Sequence, residues 1–197
     1  MNAMRACQAI EAKANKVLLP YLLEQSDGRL VMTNKGTLAR WLQESVGDVV
    51  LECNERMFGV ELKAEQKHTG NLFLEVWSNR NLDNRASHAE RGSNVGWMMK
   101  SKADLLLYYF IDADILYSLD LLSVQRWLFG YKKRMGAWCS GALREAVQTK
   151  SDQPNDTWGV LAPIDRLCDE LRPGAFKKTR VRQREIDFAA AAVKVAS

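Results

Sequence analysis

The chain has 197 residues, 47% of them hydrophobic and 26% charged, with 12 Gly and 4 Pro. That length suits one domain with a real core, and the composition excludes wholesale disorder, collagen and fibrous repeats. The formal charge of +4 makes it mildly basic, compatible with an acidic partner.

Residues 3–25 are predicted as a helix, because Ile10, Ala14, Val17, Leu18 and Leu22 recur at helical spacing and Asp27-Gly28 supplies a stop. Pro20, inside that pattern, is expected to kink or split it. The charged start of the segment lacks the apolar run of a signal peptide. A short strand over 29–33 follows, then a helix over 35–45 with Leu38, Trp41 and Leu42 on one face and Gly47 past its end. The pattern then changes to strand-like runs over 48–53, 57–65 and 71–78. Residues 79–95 are almost wholly polar and read as a functional or mobile loop. A short helical piece over 96–102 leads to two strands, 104–111 and 115–121, joined by an Asp112-Ala113-Asp114 turn. Asp104, Asp112, Asp114 and Asp120 within this most apolar stretch exclude a membrane span.

Further on, Val124, Trp127, Leu128 and Tyr131 predict an amphipathic helix over 122–135, with Lys132-Lys133-Arg134 complementing its dipole. A surface loop over 149–157, a strand over 158–162 and a helix over 164–171 come next. After Pro173-Gly174 the chain reads as a basic tail ending in an alanine-rich helix. Cys7, Cys53, Cys139 and Cys168 form no C-x-x-C pair, and only His68 and His88 are present. Reduced thiols in a cytoplasmic, non-membrane protein are therefore expected, not a disulfide framework or a thiolate zinc site. The element order predicts a single α/β (α+β) domain over 1–197 around a mixed sheet, its core at about 36–135.

Asp48, Glu61 and Lys63 carry the chemical signal. If the first hairpin turns on Asn54-Glu55, or on residues 53–56, paired positions sum to 109 and Asp48 faces Glu61 across the ladder, Cβ atoms roughly 4.5–5.5 Å apart. A three-residue loop places them on opposite faces. Lys63, two residues after Glu61, shares its face. Two carboxylates that close repel, and a hard divalent cation such as magnesium resolves the repulsion while a neighbouring ammonium orients the attacking water. The chain holds three acid-x-Lys triplets, beginning at Glu11, Glu61 and Glu65. Only the second is predicted in mid-strand after an Asp at a strand start.

The stretch GDVVLECNERMFGVELKAE, with Asp48 and Glu61-Leu62-Lys63, resembles the PD-(D/E)xK nuclease superfamily, the fold of many restriction endonucleases and Holliday-junction resolvases. Members carry a helix before the hairpin, a third strand after it, then a helix and further strands. Residues 35–45, 71–79 and 96–110 follow that order, and the resemblance covers about 36–121. Gly47 stands where the family name has Pro. The resemblance implies a restriction-endonuclease-like mixed central sheet flanked by helices and magnesium-dependent phosphodiester hydrolysis, with manganese as the alternative metal and DNA as the expected substrate. Asp48 and Glu61 would hold the metal with the Leu62 carbonyl as an extra ligand, and Lys63 would act on water and phosphate. A homodimer is compatible with it, since many relatives are dimers.

Glu75, on the third strand with Phe73 and Trp77, is read as a further ligand, a water-positioning group, a partner for Lys63, or a core-edge carboxylate paired with an Arg. Glu65 shares the Glu61 face nearer the strand end and is expected to stay outside the chemistry. Asp104 and Lys102 are read first as caps. For phosphate contacts the candidates are Arg80 in the polar loop, Lys100 and Lys102 before the Ala103-Asp104 step, and the run from Arg172 that includes Lys177, Lys178, Arg180 and Arg182 without an acidic residue. The rival expectation keeps the fold without catalysis: a binding module of a phage or mobile element that binds nucleic acid or blocks a host protein.

Overall fold

The computed structural model describes residues 3–26, 30–32, 46–53, 55–79, 94–132, 138–144, 147–150 and 156–181. Helix α1 (Ala3–Gln25) runs through Pro20 without a break. Lys16 and Pro20 are both exposed, so the carbonyl that loses its amide partner lies on the solvent side. After the short β1 (Leu30–Met32), strands β2 (Val49–Cys53) and β3 (Arg56–Glu65) form the hairpin in the 109 register, Val49 opposite Val60 and Cys53 opposite Arg56. Glu55 takes the left-handed φ of 61° that so short a loop demands. The chain then leaves the sheet for β4 (Asn71–Trp77). It returns through the single-turn helix α2 (Trp97–Lys100) to β5 (Leu105–Phe110), which lies parallel to β3. Strand β6 (Ile115–Asp120) pairs antiparallel with β5 across the predicted aspartate turn, where Asp114 adopts φ 52°.

The architecture is mixed α/β, as expected. One sheet has the order β1-β2-β3-β5-β6-β11, where β11 is Phe176–Arg180. A second has the order β4-β10-β9, with β9 (Val147–Lys150) and β10 (Trp158–Pro163). One face of the large sheet, through Val49, Leu51, Val60, Leu107 and Tyr109, packs on Ala14, Leu18 and Leu22 of α1. The other face, through Leu106, Tyr108, Phe110, Tyr117 and Leu119, packs on Leu72, Leu74 and Val160 of the small sheet. Met98 of α2, Val124 and Leu128 of α3 (Leu121–Phe129), and Leu167 of α4 (Ile164–Glu170) complete that layer. The strand that follows the hairpin therefore belongs to a separate sheet stacked on the first.

Four expectations are corrected. Helix α3 stops at Phe129, not 135, because Gly130 takes φ 82° and turns the chain into β7 (Gly130–Lys132), paired with β8 (Trp138–Ser140). Tyr131 and Lys132 thus lie on a strand, not at a helix end. Thr149 and Lys150, placed in a loop, belong to β9. Lys177, Lys178 and Arg180, placed in a tail, form the outer edge strand β11 against β6. The predicted helix over 35–45, the interior of the 79–95 loop, Arg80, Arg182 and the alanine-rich end lie outside the described residues.

Strand β11 changes the consequence of truncation. Ala175 and Val181 flank it and are buried, so ending the chain at Pro173 strips one edge of the sheet from both cores. Such a truncation should lose more than about 3 kcal/mol in urea unfolding. The triple variant Lys177→Ala, Lys178→Ala, Arg180→Ala should stay within about 1 kcal/mol of the parent, because all three residues are exposed.

Candidate active site

The hairpin places Glu61 and Lys63 on the face turned toward the small sheet, since Val60 points to α1. Asp48 precedes β2 and closes the ladder: its amide donates to the Val60 carbonyl (2.8 Å), and its Oδ2 accepts from the Leu62 amide (2.9 Å). A strand residue sends its N–H and C=O to the same side, so the Leu62 carbonyl is also directed toward Asp48. Gly47 makes this approach possible. At its φ of 94° a Cβ would meet the Val60 carbonyl oxygen at 2.6 Å, so the residue before Asp48 must be glycine here, and proline is excluded.

Glu61 is 5% exposed. Its Oε1 holds the Lys63 ammonium at 2.7 Å, and its Oε2 accepts from the Ser101 hydroxyl at 2.9 Å. Burial raises the Glu61 pKa; Lys63 and Ser101 oppose the rise and the Asp48 charge adds to it. Burial pulls the Lys63 ammonium down, but the carboxylates of Glu61, Asp48 and Glu75 outweigh it and hold its pKa above the usual lysine value. The ammonium also sits 5.2 Å from the Trp97 ring centroid. Glu75 is thus near enough to act on Lys63, while its own Oε1 accepts from the Ser78 hydroxyl (2.7 Å).

Two groups that the sequence reading did not single out organise this cluster. Ser101 leaves the C-terminal end of α2 and is 6% exposed. Gln125 of α3 donates from Nε2 to the carbonyls of Met98 and Ser101, both at 3.0 Å, and so ties the α2 end to α3. Glu65 stays apart from the cluster, accepting from the Tyr108 hydroxyl, which in turn accepts from the Phe73 amide (3.1 Å). Asp104 does not cap α2; its Oδ2 accepts from the Gly59 amide (2.8 Å) and ties β5 to β3.

The basic candidates separate in space. Lys100 and Lys102 flank Ser101 and stand beside the cluster in the chain. Lys178 lies in the same cross-strand row as Lys63, through Tyr108 and Tyr117, but three strands away, about 14 Å by ordinary strand spacing. Lys177 alternates to the α1 face. The cluster and β11 are therefore separate positive surfaces.

Among the described residues no three His, Cys, Asp or Glu side chains form a metal-ligating group. The hard oxygens that the sequence nominates are the Asp48 and Glu61 carboxylates and the Leu62 carbonyl, and the engaged carboxylate oxygens each retain a further lone pair. That set suits magnesium, which takes one or two carboxylates and completes its shell with water and substrate phosphate. Comparison with protein-family models, curated proteins and solved structures gives no match. No helix among the described residues is long and apolar enough to cross a membrane.

The Lys63–Glu61 pair makes a testable demand on pH. A carboxyl whose folded pKa lies above its unfolded value adds stability that is complete below the unfolded pKa and is lost as pH rises through the folded one. Lys63→Ala removes the main influence holding Glu61 down, so its folded pKa rises further. The variant should lose about 1–3 kcal/mol at neutral pH, less than a fully enclosed pair because the lysine side chain is 29% exposed. As pH falls and Glu61 takes up its proton, the gap to the parent should shrink. Urea unfolding across that pH range checks this, and a gap that is constant with pH would mean that Glu61 does not carry the effect.

Proposed function

We propose that this protein is a magnesium-dependent nuclease of the PD-(D/E)xK type that hydrolyses phosphodiester bonds, with DNA as its substrate, on a restriction-endonuclease-like fold. The observation that carries the reading is Lys63 held 2.7 Å from Glu61, with the Asp48 charge near enough to act on both. Asp48, Glu61 and the Leu62 carbonyl would hold the ion, which when bound supplies a Lewis acid beside the scissile phosphate. Lys63, kept protonated by the carboxylates around it, donates to the attacking water and to the charge that grows on the phosphate oxygens. Ser101 and Gln125 hold Glu61 in place, and Lys100 and Lys102 meet the phosphates beyond it.

The test is cleavage of plasmid, branched DNA, single-stranded DNA and RNA by purified protein with magnesium, manganese or calcium. Cleavage with the first two and poor cleavage with calcium supports the reading, since calcium's looser shell positions water less tightly. No cleavage of any substrate ends it. A second reading, a catalytically silent binding module on the same scaffold, is favoured by one feature: both Glu61 oxygens are already engaged, by Lys63 and Ser101. Nucleic-acid binding in EDTA without cleavage in magnesium distinguishes it.

A further inference from the structure

We propose that a second site, a cavity of about 670 Å³ between α3, α4 and the β8 end, binds a nucleotide unit: a phosphate carried beside a planar base. Its volume falls in the range of about 300–1,000 Å³ typical of ligand sites. It lies on the far side of α3 from the Asp48–Glu61 cluster. At 100° per residue, Ser123 and Trp127 of its wall sit about 160° around the helix from Gln125, which faces α2.

Three guanidinium groups, Arg126, Arg166 and Arg172, converge on this cavity against a single lining carboxylate, Glu170. Two of them lie over aromatic rings: Arg166 is 5.5 Å from the Trp127 centroid and Arg126 5.8 Å from that of Tyr131. Stacking fixes the guanidinium plane and leaves its edge donors for an anion. Arg166 is also tied to Glu170 (2.8 Å), which accepts from the Trp127 indole N–H (2.7 Å), and Arg172 is tied to Asp120 (2.7 Å). These tethers pre-order the wall. Arg126 has no ion pair among the described residues, and its charge is the one left to a ligand. Tyr131 is 43% exposed, which leaves ring surface for a base to cover. Inorganic phosphate would use the arginines alone; the exposed aromatic surface is what favours a phosphate joined to a base.

The inference does not rest on the nuclease reading, because binding here needs no metal. The test is calorimetry of the full chain in EDTA with three probes: inorganic phosphate, a nucleoside monophosphate and a single-stranded oligonucleotide. The monophosphate should bind at least about tenfold more tightly than phosphate, the gain one base stack gives. Arg126→Ala and Tyr131→Ala, both at exposed positions, should each weaken it about tenfold while thermal unfolding stays that of the parent. Equal affinity for monophosphate and oligonucleotide identifies a free nucleotide as the ligand. Tighter oligonucleotide binding, with a salt slope that falls by about 0.7 for Arg126→Ala, identifies a strand. Phosphate binding as tightly as the monophosphate, no binding by any probe, or binding unchanged in both variants overturns the proposal.

Discussion

Asp48→Asn and Glu61→Gln should each abolish magnesium-dependent cleavage in a protein that still folds, Asp48→Asn with thermal unfolding close to that of the parent. Each change keeps the shape of the side chain and removes the charge on which a hard cation depends. Asparagine can still accept the Leu62 amide that Asp48 now accepts at 2.9 Å, so the hairpin end survives. Glutamine at position 61 can still accept from Ser101, but its amide NH2 then faces the Lys63 ammonium, so Glu61→Gln should also cost about 1–3 kcal/mol. Lys63→Ala differs: it should retain metal binding yet lose at least about a hundredfold in rate, since it acts on water and phosphate in the transition state. The measurement is plasmid cleavage beside magnesium titration for each variant. Three variants that cut as well as the parent would show that Asp48, Glu61 and Lys63 do not carry the cleavage.

Gly47→Pro should have the largest effect on stability of any single change near the site. Proline is locked near φ −65°, whereas Gly47 sits at 94° with the Val60 carbonyl pressed against it. The hairpin cannot keep both the Asp48–Leu62 hydrogen bond and a proline there. A loss above about 3 kcal/mol is expected, with metal affinity lost in whatever folded fraction remains. Gly47→Ala should be destabilising too, by a smaller margin, because alanine reaches positive φ at a cost that proline cannot meet at all. Urea unfolding of the two variants gives the order, and a stable Gly47→Pro protein would show that Asp48 can be presented by another backbone path.

The register of the first hairpin was legible because turn chemistry and alternation agree: paired positions sum to 109 from Cys53 opposite Arg56 to Val49 opposite Val60. Helix α1 and the β5–β6 pair were legible for a similar reason, long periodic runs with clear punctuation. Three elements were hidden by their brevity or their exposure. Strand β11 reads Phe-Lys-Lys-Thr-Arg, and an edge strand with polar residues on both faces has no alternation to detect. Strands β7 and β8 are three residues each, too short for any period, and the Gly130 stop lay inside an apolar pattern that ran past it. Ser101 and Gln125 carry no local signature, since Ser101 meets Glu61 across 40 positions of chain and Gln125 meets Ser101 across 24. The proximity of Glu75 to Lys63 depends on the stacking of two sheets, which no single strand pattern encodes.

The charged outer strand also bears on how copies of this chain meet. Strand β11 is the last strand of the large sheet among the described residues, the kind of margin along which a second molecule can add its own strand. Lys177, Lys178 and Arg180 stand exposed along it. Two copies joined there about a twofold axis would bring ammonium and guanidinium groups face to face, with like charges opposed across the new ladder. Those opposed charges work against continuous sheet growth along this margin.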